Sequence, residues 1–242
     1  MPSESPTPSL PKRFYTLAGV ETRPDGFALV LDGRGARTPG RRPLVLPTQA
    51  LAEAVAAEWE AQEGVIDPRR MPLTRLANSA IDGVADSGEA VAAEVIRYAG
   101  SDLLCYRAAH PEKLVTRQAA LWDPVLAWAR EELGARFILA EGVMHVTQPD
   151  AALEAVAARV ERYSAPFSLA ALNVMTTLTG SVLLALAVAE GHLSPAEAWA
   201  AAHVDEDFQI DAWGEDEEAS ARRAARWQDF AAAARLFALS RA

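Results

Sequence analysis

The sequence has very few of the residues that build disulfides and metal sites. Among its 242 residues there is one cysteine, Cys105, and there are four histidines. A single cysteine cannot form a disulfide within the chain, so nothing implies an oxidising compartment. The histidines form no HExxH or Glu-x-x-His pattern, and the chain lacks a second cysteine that could complete a zinc-binding pair. We therefore expect Cys105 to be a small buried side chain, and we predict no metal and no cofactor.

Positive charge is also scarce. The chain carries 23 Lys and Arg against 33 Asp and Glu, which gives a net charge of −10. Proteins that bind nucleic acid present a basic face, and this composition argues against that class of partner.

Motifs for catalysis are missing too. Gly33-x-Gly35 lacks the third glycine of a dinucleotide loop, and Thr179-Gly180-Ser181 is not the G-x-S-x-G turn of a serine hydrolase. We predict that the protein is not an enzyme.

One long segment, Tyr163 to Ala189, contains no charged residue. It is long enough for a transmembrane helix to be considered. Several hydroxyl and amide side chains interrupt it, however, and a helix that is apolar on all sides is also typical of the centre of a helical domain. We favour the buried helix and predict no stable membrane insertion. A membrane-attached scaffold, held through Phe167 to Ala189, is the least favoured alternative.

Composition divides the chain into three parts. Residues 1–11 are rich in Pro and Ser and have neither the apolar run of a secretory signal nor the Arg-rich pattern of a transit peptide. We expect a flexible tail there and a cytoplasmic location. In residues 12–47, strand-like segments such as Phe14 to Val20 alternate with the turn signals Arg23-Pro24-Asp25-Gly26 and Asp32-Gly33.

From residue 48 onward, Ala, Leu, Glu and Arg dominate, which favours helix. The predicted fold class is therefore α+β, with a small N-terminal antiparallel β domain at 12–47 followed by a larger all-helical C-terminal domain at 48–242. Thr48 is a good cap for a helix that runs through Trp59. Asp123-Pro124 predicts a helix boundary, and Ser194 to Glu197 forms a capping box.

The final helix is expected to bury an aromatic stripe. Trp227, Phe230, Ala234 and Phe237 recur at the spacing of one helical face. We expect Trp227 to pack in the core, and Trp128 as well.

Eight carboxylates fall within the fourteen residues from Asp205 to Glu218. Glu215 to Glu218 predict the start of the final helix, because acids there meet the positive end of the helix dipole. The remaining acids have two interpretations. A helix from Pro195 that continues past His203 would place Glu206 on a stripe with two tryptophans. Alternatively, the helix breaks near residue 204 and the acids lie in a solvated loop.

Four blocks of sequence, colinear along the chain, resemble a known family. They are "PLVLPTQALAEAVAAEWEAQ", "MPLTRLANSAID", "SDLLCYRAAHPEKLVTRQAALWDPVLAW" and "FQIDAWG". In sequence and spacing they resemble the ATP synthase assembly chaperones of mitochondria and related bacteria, which act on the alpha subunit of the catalytic (F-one) sector. The likeness runs from Lys12 to the last helix, and the family has a small N-terminal β domain and a larger helical domain.

The resemblance implies a transient client and no catalysis. Such a protein would hold the free alpha subunit, shielding its subunit interface, until the beta subunit replaces the chaperone. It also implies a bacterial-type cytoplasm, since a transit peptide is missing. The partner-binding residues that it implies are the tryptophan of the Glu-Trp motif and the polar residues in and before the last block: Trp59, Asp205, Glu206, Asp207, Gln209 and Trp213.

A metal-dependent hydrolase is the alternative function. His203 stands three residues before Glu206 and four before Asp207, so that one turn of helix could bring an imidazole and a carboxylate to the same metal.

Overall fold

The computed structural model of this chain describes residues 10–142 and 144–242, so most of the tail predicted for residues 1–11 lies outside the described residues. The strands within these ranges are β1 (Ala18–Arg23), β2 (Gly26–Leu31), β3 (Arg34–Gly35), β4 (Val45–Leu46), β5 (Tyr106–Arg107) and β6 (Ala140–Glu141). The α-helices are α1 (Gln49–Glu60), α2 (Pro72–Ser79), α3 (Ala85–Arg97), α4 (Glu112–Trp128), α5 (Asp150–Glu161), α6 (Pro166–Thr179), α7 (Val182–Ala189), α8 (Pro195–Ala202), α9 (Val204–Trp213) and α10 (Glu217–Leu239).

The N-terminal sheet is antiparallel and built around β2. A hairpin pairs β1 with β2 from Ala18 opposite Leu31 to Arg23 opposite Gly26, and both β3 and β4 also pair with β2. Gly26 has a φ of +139°, and a Cβ there would lie 2.5 Å from the carbonyl oxygen of Leu46. The turn therefore requires glycine. The prediction of a small N-terminal antiparallel sheet followed by mostly helical structure is confirmed.

The first strand begins later than predicted. Phe14 to Val20 was expected to be extended, but β1 starts at Ala18. The amide groups of Thr16 and Leu17 donate to the carboxylate of Asp32 instead of to a neighbouring strand. This side-chain contact competes with the sheet ladder and shortens the strand.

Helix α1 covers one face of the sheet. Leu51 and Val55 of α1 are fully buried in the same core as Leu29 and Leu46 of the sheet. Thr48 caps the helix as predicted, because its Oγ1 accepts from the amide of Leu51 at 3.2 Å. The sheet and the helices thus share one core. The division at residues 47 and 48 into two domains stays a prediction.

The charge-free segment forms two buried helices rather than one. α6 ends at Gly180, which has a φ of +68°, and Ser181 caps α7 by accepting from the amide of Leu184 at 3.0 Å. Most of α7 is inaccessible to solvent. Among the described residues, no helix has the length and apolar character required to cross a bilayer.

One predicted helix boundary was wrong. Pro124 lies inside α4, which continues to Trp128. Trp122 and Val125 on either side are buried, and the indole Nε1 of Trp122 donates to the carbonyl of Ala201 at 2.7 Å. This packing compensates for the backbone hydrogen bond that proline cannot donate. The helical region is not entirely helical either, since β5 and β6 form a short parallel pair.

Of the two interpretations of the acidic segment, the helix break near residue 204 is confirmed, but the continuous helix and the solvated loop are wrong. The capping box at Ser194 and Glu197 is confirmed, but α8 ends at Ala202, and His203 leaves helical geometry with φ −116° and ψ 17°. A new helix, α9, then starts at Val204, so the acids 205–207 form its first turn. The last acids do begin the final helix: Asp216 caps α10, and its first turn contains Glu217 and Glu218.

The aromatic predictions for the core agree with the structure. Phe230, Ala234 and Phe237 of α10 are buried, and Trp227 packs partly buried against the same core. Trp128 and Cys105 are buried as well.

Glu58 of α1 provides the N-terminal cap that α2 lacks in its own sequence. The carboxylate accepts from the amides of Leu73 and Thr74, each at 2.8 Å, and from the hydroxyl of Thr74 at 2.7 Å. Burial raises the pKa of Glu58, whereas these three donors lower it. We expect Glu58→Gln to lower the free energy of unfolding by about 1–3 kcal/mol, because a charged acceptor of several hydrogen bonds is lost. Urea denaturation measures the change.

Glu53→Gln is the matched control, since Glu53 is an exposed residue of the same helix. Equal denaturation midpoints for the two variants would show that Glu58 does not stabilise α2.

Asp102 makes stability depend on pH. Its buried carboxylate accepts from the amides of Leu104 and Leu183, each at 3.1 Å, and burial raises its pKa from 3.8 to about 6. The folded protein therefore binds this proton more tightly than the unfolded chain does. The stability that Asp102 contributes is greatest below pH 3.8 and is lost as the pH rises to about 6.

Comparing the wild type with Asp102→Asn separates the contribution of Asp102 to the pH dependence of stability from the contributions of the other acids. Between pH 4 and pH 6, the free energy of unfolding of the wild type should decline relative to the variant by at most about 3 kcal/mol, and the difference should be constant above pH 7. A difference that does not change with pH would contradict the assignment.

Candidate functional site

Helices α9 and α10 diverge from the turn at Gly214 and enclose a groove of about 440 Å³. We call it the α9/α10 groove. The Gly214 backbone has a φ of +90°, which separates the two helices within three residues. The side chains of α9 that line the groove are Glu206, Gln209, Ile210 and Trp213, and those of α10 include Arg222, Arg223 and Arg226.

The three acids at the start of α9 point to different partners. Asp205 accepts from the amide Nε2 of Gln118 on α4 at 2.7 Å, and Asp207 forms an ion pair with Arg223 on α10. Glu206 is exposed and has neither an ion pair nor a side-chain hydrogen bond with any described residue. Of the triplet, only Glu206 therefore has a charge left for an external partner.

Polar contacts hold α9 on the rest of the protein. Val204 is its only buried residue among those described. Arg117 of α4 pairs with Asp211 at 2.7 Å and lies over the ring of Phe208, 5.5 Å from its centroid. Since exposed ion pairs contribute little and weaken with salt, α9 is more weakly attached than the helices of the core.

The outward face of α9 is aromatic and polar. Trp213 is 80% exposed, and Gln209 is exposed one helical turn before it. Glu206, Gln209 and Trp213 are separated by three and four residues, so they lie on one face of the helix. Tryptophan is enriched at the centres of protein interfaces, and an exposed indole beside an unpaired carboxylate is suited to contact another protein.

Trp59 lies in a different place. It is half-buried on α1, its ring is 5.7 Å from that of Tyr15, and its carbonyl accepts from the Tyr15 hydroxyl at 2.6 Å. Trp59 lines a second cleft of about 550 Å³ beside the N-terminal sheet, which we call the sheet cleft. The predicted partner-binding residues thus divide between two clefts.

His203 is part of the core. Its Nδ1 is 2.8 Å from the carbonyl oxygen of Trp199, and the two ring centroids are 3.9 Å apart. Burial lowers the pKa of His203, so the ring favours the neutral form. Within residues 10–142 and 144–242, no group of three or more His, Cys, Asp or Glu side chains is arranged to hold a metal ion. No ligand set there supports the metal-dependent hydrolase.

The residues that bind the acids of α9 were not predicted from the sequence. Gln118 and Arg117 lie on α4, about ninety residues before their partners in the chain, and their pairing depends on tertiary structure. For Arg223 a signal existed, because a basic run follows the acidic run at the start of α10. Such a sequence is consistent with ion pairs between consecutive helices.

Three comparisons relate the chain to known proteins. The family described as ATP12 chaperone protein matches residues 12–130. The crystal structure of an Agrobacterium tumefaciens protein is 52% identical, with a TM-score of 0.92, and the match covers 95% of this chain and 86% of that one. Atp12 from Paracoccus denitrificans is 45% identical with a TM-score of 0.89, and the match covers 95% of this chain and 98% of that one.

A more distant relative comes from a eukaryote. Mitochondrial atp12 of Schizosaccharomyces pombe is 22% identical over 229 residues, and the match covers 90% of this chain and 78% of that protein.

The position of Trp59 leads to a stability prediction. Trp59→Arg should lower the free energy of unfolding by about 2 kcal/mol or more, because it removes an aromatic contact from the packing between α1 and the sheet and introduces a charge there. Thermal and urea unfolding measure this loss. Trp213→Arg makes the same change at an exposed indole and should leave stability unchanged. If both variants unfold at the wild-type midpoint, Trp59 has no structural role.

Proposed function

Because the chain belongs to the ATP12 chaperone family, we propose that it binds the free alpha subunit of the F-type ATP synthase catalytic sector. The family is described as a chaperone, and assembly of the catalytic sector is the role that the resemblance implies for it. In this proposal the chaperone shields the subunit interface of alpha until the beta subunit replaces the chaperone. The observation that carries the proposal is the outward face of α9, where Glu206, Gln209 and Trp213 lie exposed along one groove.

The physical need for such a protein follows from the client. A free subunit exposes the apolar surface that contacts its neighbour after assembly, and such surfaces aggregate. A temporary cover must exclude water from that surface and still be displaced. An exposed helix face with one indole, one amide and one carboxylate satisfies both requirements better than a large apolar interface would.

The charge of Glu206 limits the chemistry of the bound segment. A carboxylate that loses water on binding needs a cation or several hydrogen-bond donors in return. We infer that alpha contributes a basic side chain next to an apolar one, so that the first pairs with Glu206 and the second packs on Trp213. Asp205 and Asp207, which have internal partners, orient α9 in this proposal and do not contact the client.

This function requires no catalysis and no cofactor. The matches to proteins of Agrobacterium and Paracoccus support the expectation of a bacterial cytoplasmic setting. In such a setting the complex with alpha would be transient, since the assembled sector no longer contains the chaperone.

Glu206→Lys tests the contact directly. Titration calorimetry with isolated alpha subunit should show an affinity at least about tenfold lower, because an attractive charge pair becomes repulsive. Thermal stability should fall only slightly, because Glu206 has no side-chain partner among the described residues and its place in the first turn of α9 contributes only about 0.3–1 kcal/mol through the helix dipole. Glu154→Lys makes the same charge change at an exposed position of α5. If both variants bind alpha like the wild type, Glu206 is not part of the interface.

The chaperone function itself is tested by light scattering. Isolated alpha subunit is allowed to aggregate with and without an equimolar amount of this protein. We expect suppression for alpha and none for the beta subunit, with an unrelated acidic protein as the negative control. Absence of suppression with alpha would rule out the proposed client.

A further inference from the structure

The sheet cleft has features that neither the fold nor the α9/α10 groove explains. We propose that it is a second docking site, which binds an acidic segment of the client that carries an apolar side chain beside its carboxylate. This inference rests on the proposed function and extends it, since it assigns two contacts of different chemistry to one client. The side chains that carry the argument are Phe14, Asp32, Arg34, Arg37 and Trp59.

The first feature is exposed apolar surface. Phe14 is 72% exposed at the cleft, 5.4 Å from the ring of Tyr15, and Leu17 nearby in sequence is 64% exposed. Single exposed apolar residues are common, but an exposed phenylalanine at the edge of an aromatic-lined cleft is typical of a contact with another protein. Phe14 is therefore the apolar anchor in our proposal.

The second feature is unpaired positive charge. Arg34 and Arg37 line the cleft, and neither forms an ion pair with any residue in the described ranges. One Arg37 amino group donates to the carbonyl of Arg41 at 2.8 Å, which fixes part of that side chain. In a chain with a net charge of −10, two arginines without acidic partners form a local positive region.

The cleft also contains one carboxylate. The oxygens of Asp32 accept from the amides of Thr16 and Leu17 at 3.1 and 2.9 Å, and these donors, together with the nearby Arg34, lower its pKa. The Asp32 carboxylate is thus ionised and points to the backbone of Thr16 and Leu17. Two guanidinium groups against one carboxylate leave a net positive charge, which is complementary to an acidic segment.

The third feature is an unsatisfied donor. The indole Nε1 of Trp59 is buried and has no hydrogen-bond partner in the described part of the chain. A buried donor without an acceptor costs about 1–3 kcal/mol. A carbonyl or carboxylate of a bound segment is the kind of group that would remove this cost, and the Trp59 ring already lines the cleft.

Two separate contacts would explain how a client is both held and released. Contacts on one rigid protein act together, because once the first has formed the second is intramolecular. If the beta subunit displaces either contact, the other alone is weak and the client dissociates. The α9/α10 groove provides an unpaired carboxylate and the sheet cleft provides unpaired guanidinium groups, so each contact selects a different segment of alpha.

The test is a double charge reversal, Arg34→Glu with Arg37→Glu. Titrated with isolated alpha subunit at low salt, this variant should bind at least about tenfold more weakly than the wild type. The affinity of the wild type should fall more steeply with added salt than that of the variant. The matched control is Arg136→Glu with Arg162→Glu, two exposed arginines of the helical region that form no ion pair with a described residue.

Phe14→Ala gives a second measurement that leaves the charges unchanged. It should weaken alpha binding several-fold, whereas Met144→Ala, at a residue that is also exposed, should not. Circular dichroism melting establishes that each variant is folded. If the double reversal does not fold, Phe14→Ala alone decides the outcome.

The outcomes separate this inference from the proposed function. If Glu206→Lys weakens binding while the sheet-cleft variants bind like their controls, the sheet cleft is not a docking site and the alpha-binding function stands. If the wild type does not bind alpha, both proposals fail.

Discussion

Helix α1 is the element on which the rest of the structure depends. Its buried face, with Leu51 and Val55, supports a sheet of short strands that would be only marginally stable alone. Its last turn holds the Glu58 carboxylate at the start of α2, and the hydroxyl of Thr48 at its other end donates to the carbonyl of Leu239 at 2.6 Å. One helix thus joins the sheet, α2 and the end of α10, and a shift of α1 would move all three.

The two clefts differ in what holds their walls. Trp59 and Tyr15 of the sheet cleft belong to a hydrophobic cluster beside α1, so that wall is as rigid as the core. The α9 wall of the other groove depends on ion pairs of Asp207 and Asp211 and on one buried valine. Salt weakens such pairs, so the α9/α10 groove should adapt to a client more easily than the sheet cleft does.

The sequence predicted the features of the fold that depend on interactions between residues close together in the chain. The caps at Thr48 and Ser194 and the aromatic stripe of the last helix depend on neighbours within one or two turns, and they were predicted correctly. Pro124 was assigned wrongly because tertiary packing of Trp122 stabilises a helix that propensity alone would end. The break near residue 204 was one of two interpretations, and the sequence did not decide between them, since a buried histidine that contacts the preceding turn through Trp199 has no distinct sequence pattern. Of the candidate site, the resemblance implied Glu206 and Trp213, whose role stays a prediction. The separation of Trp59 into a second cleft depends on tertiary structure.

The acidic run from Asp205 to Glu218 shows why clustered charge alone is weak evidence for a binding surface. Most of its eight carboxylates form hydrogen bonds or ion pairs with other groups of the protein. Asp205, Asp207 and Asp211 bind residues of α4 and α10, while Glu215, Asp216 and Glu218 bind groups of the first turns of α10. Glu217 has no side-chain partner among the described residues but lies in a first helical turn, where the helix dipole favours an acid. Glu206 also lacks a side-chain partner among the described residues and lies in the first turn of α9, but unlike Glu217 it lines the α9/α10 groove, and this makes it the acid to test.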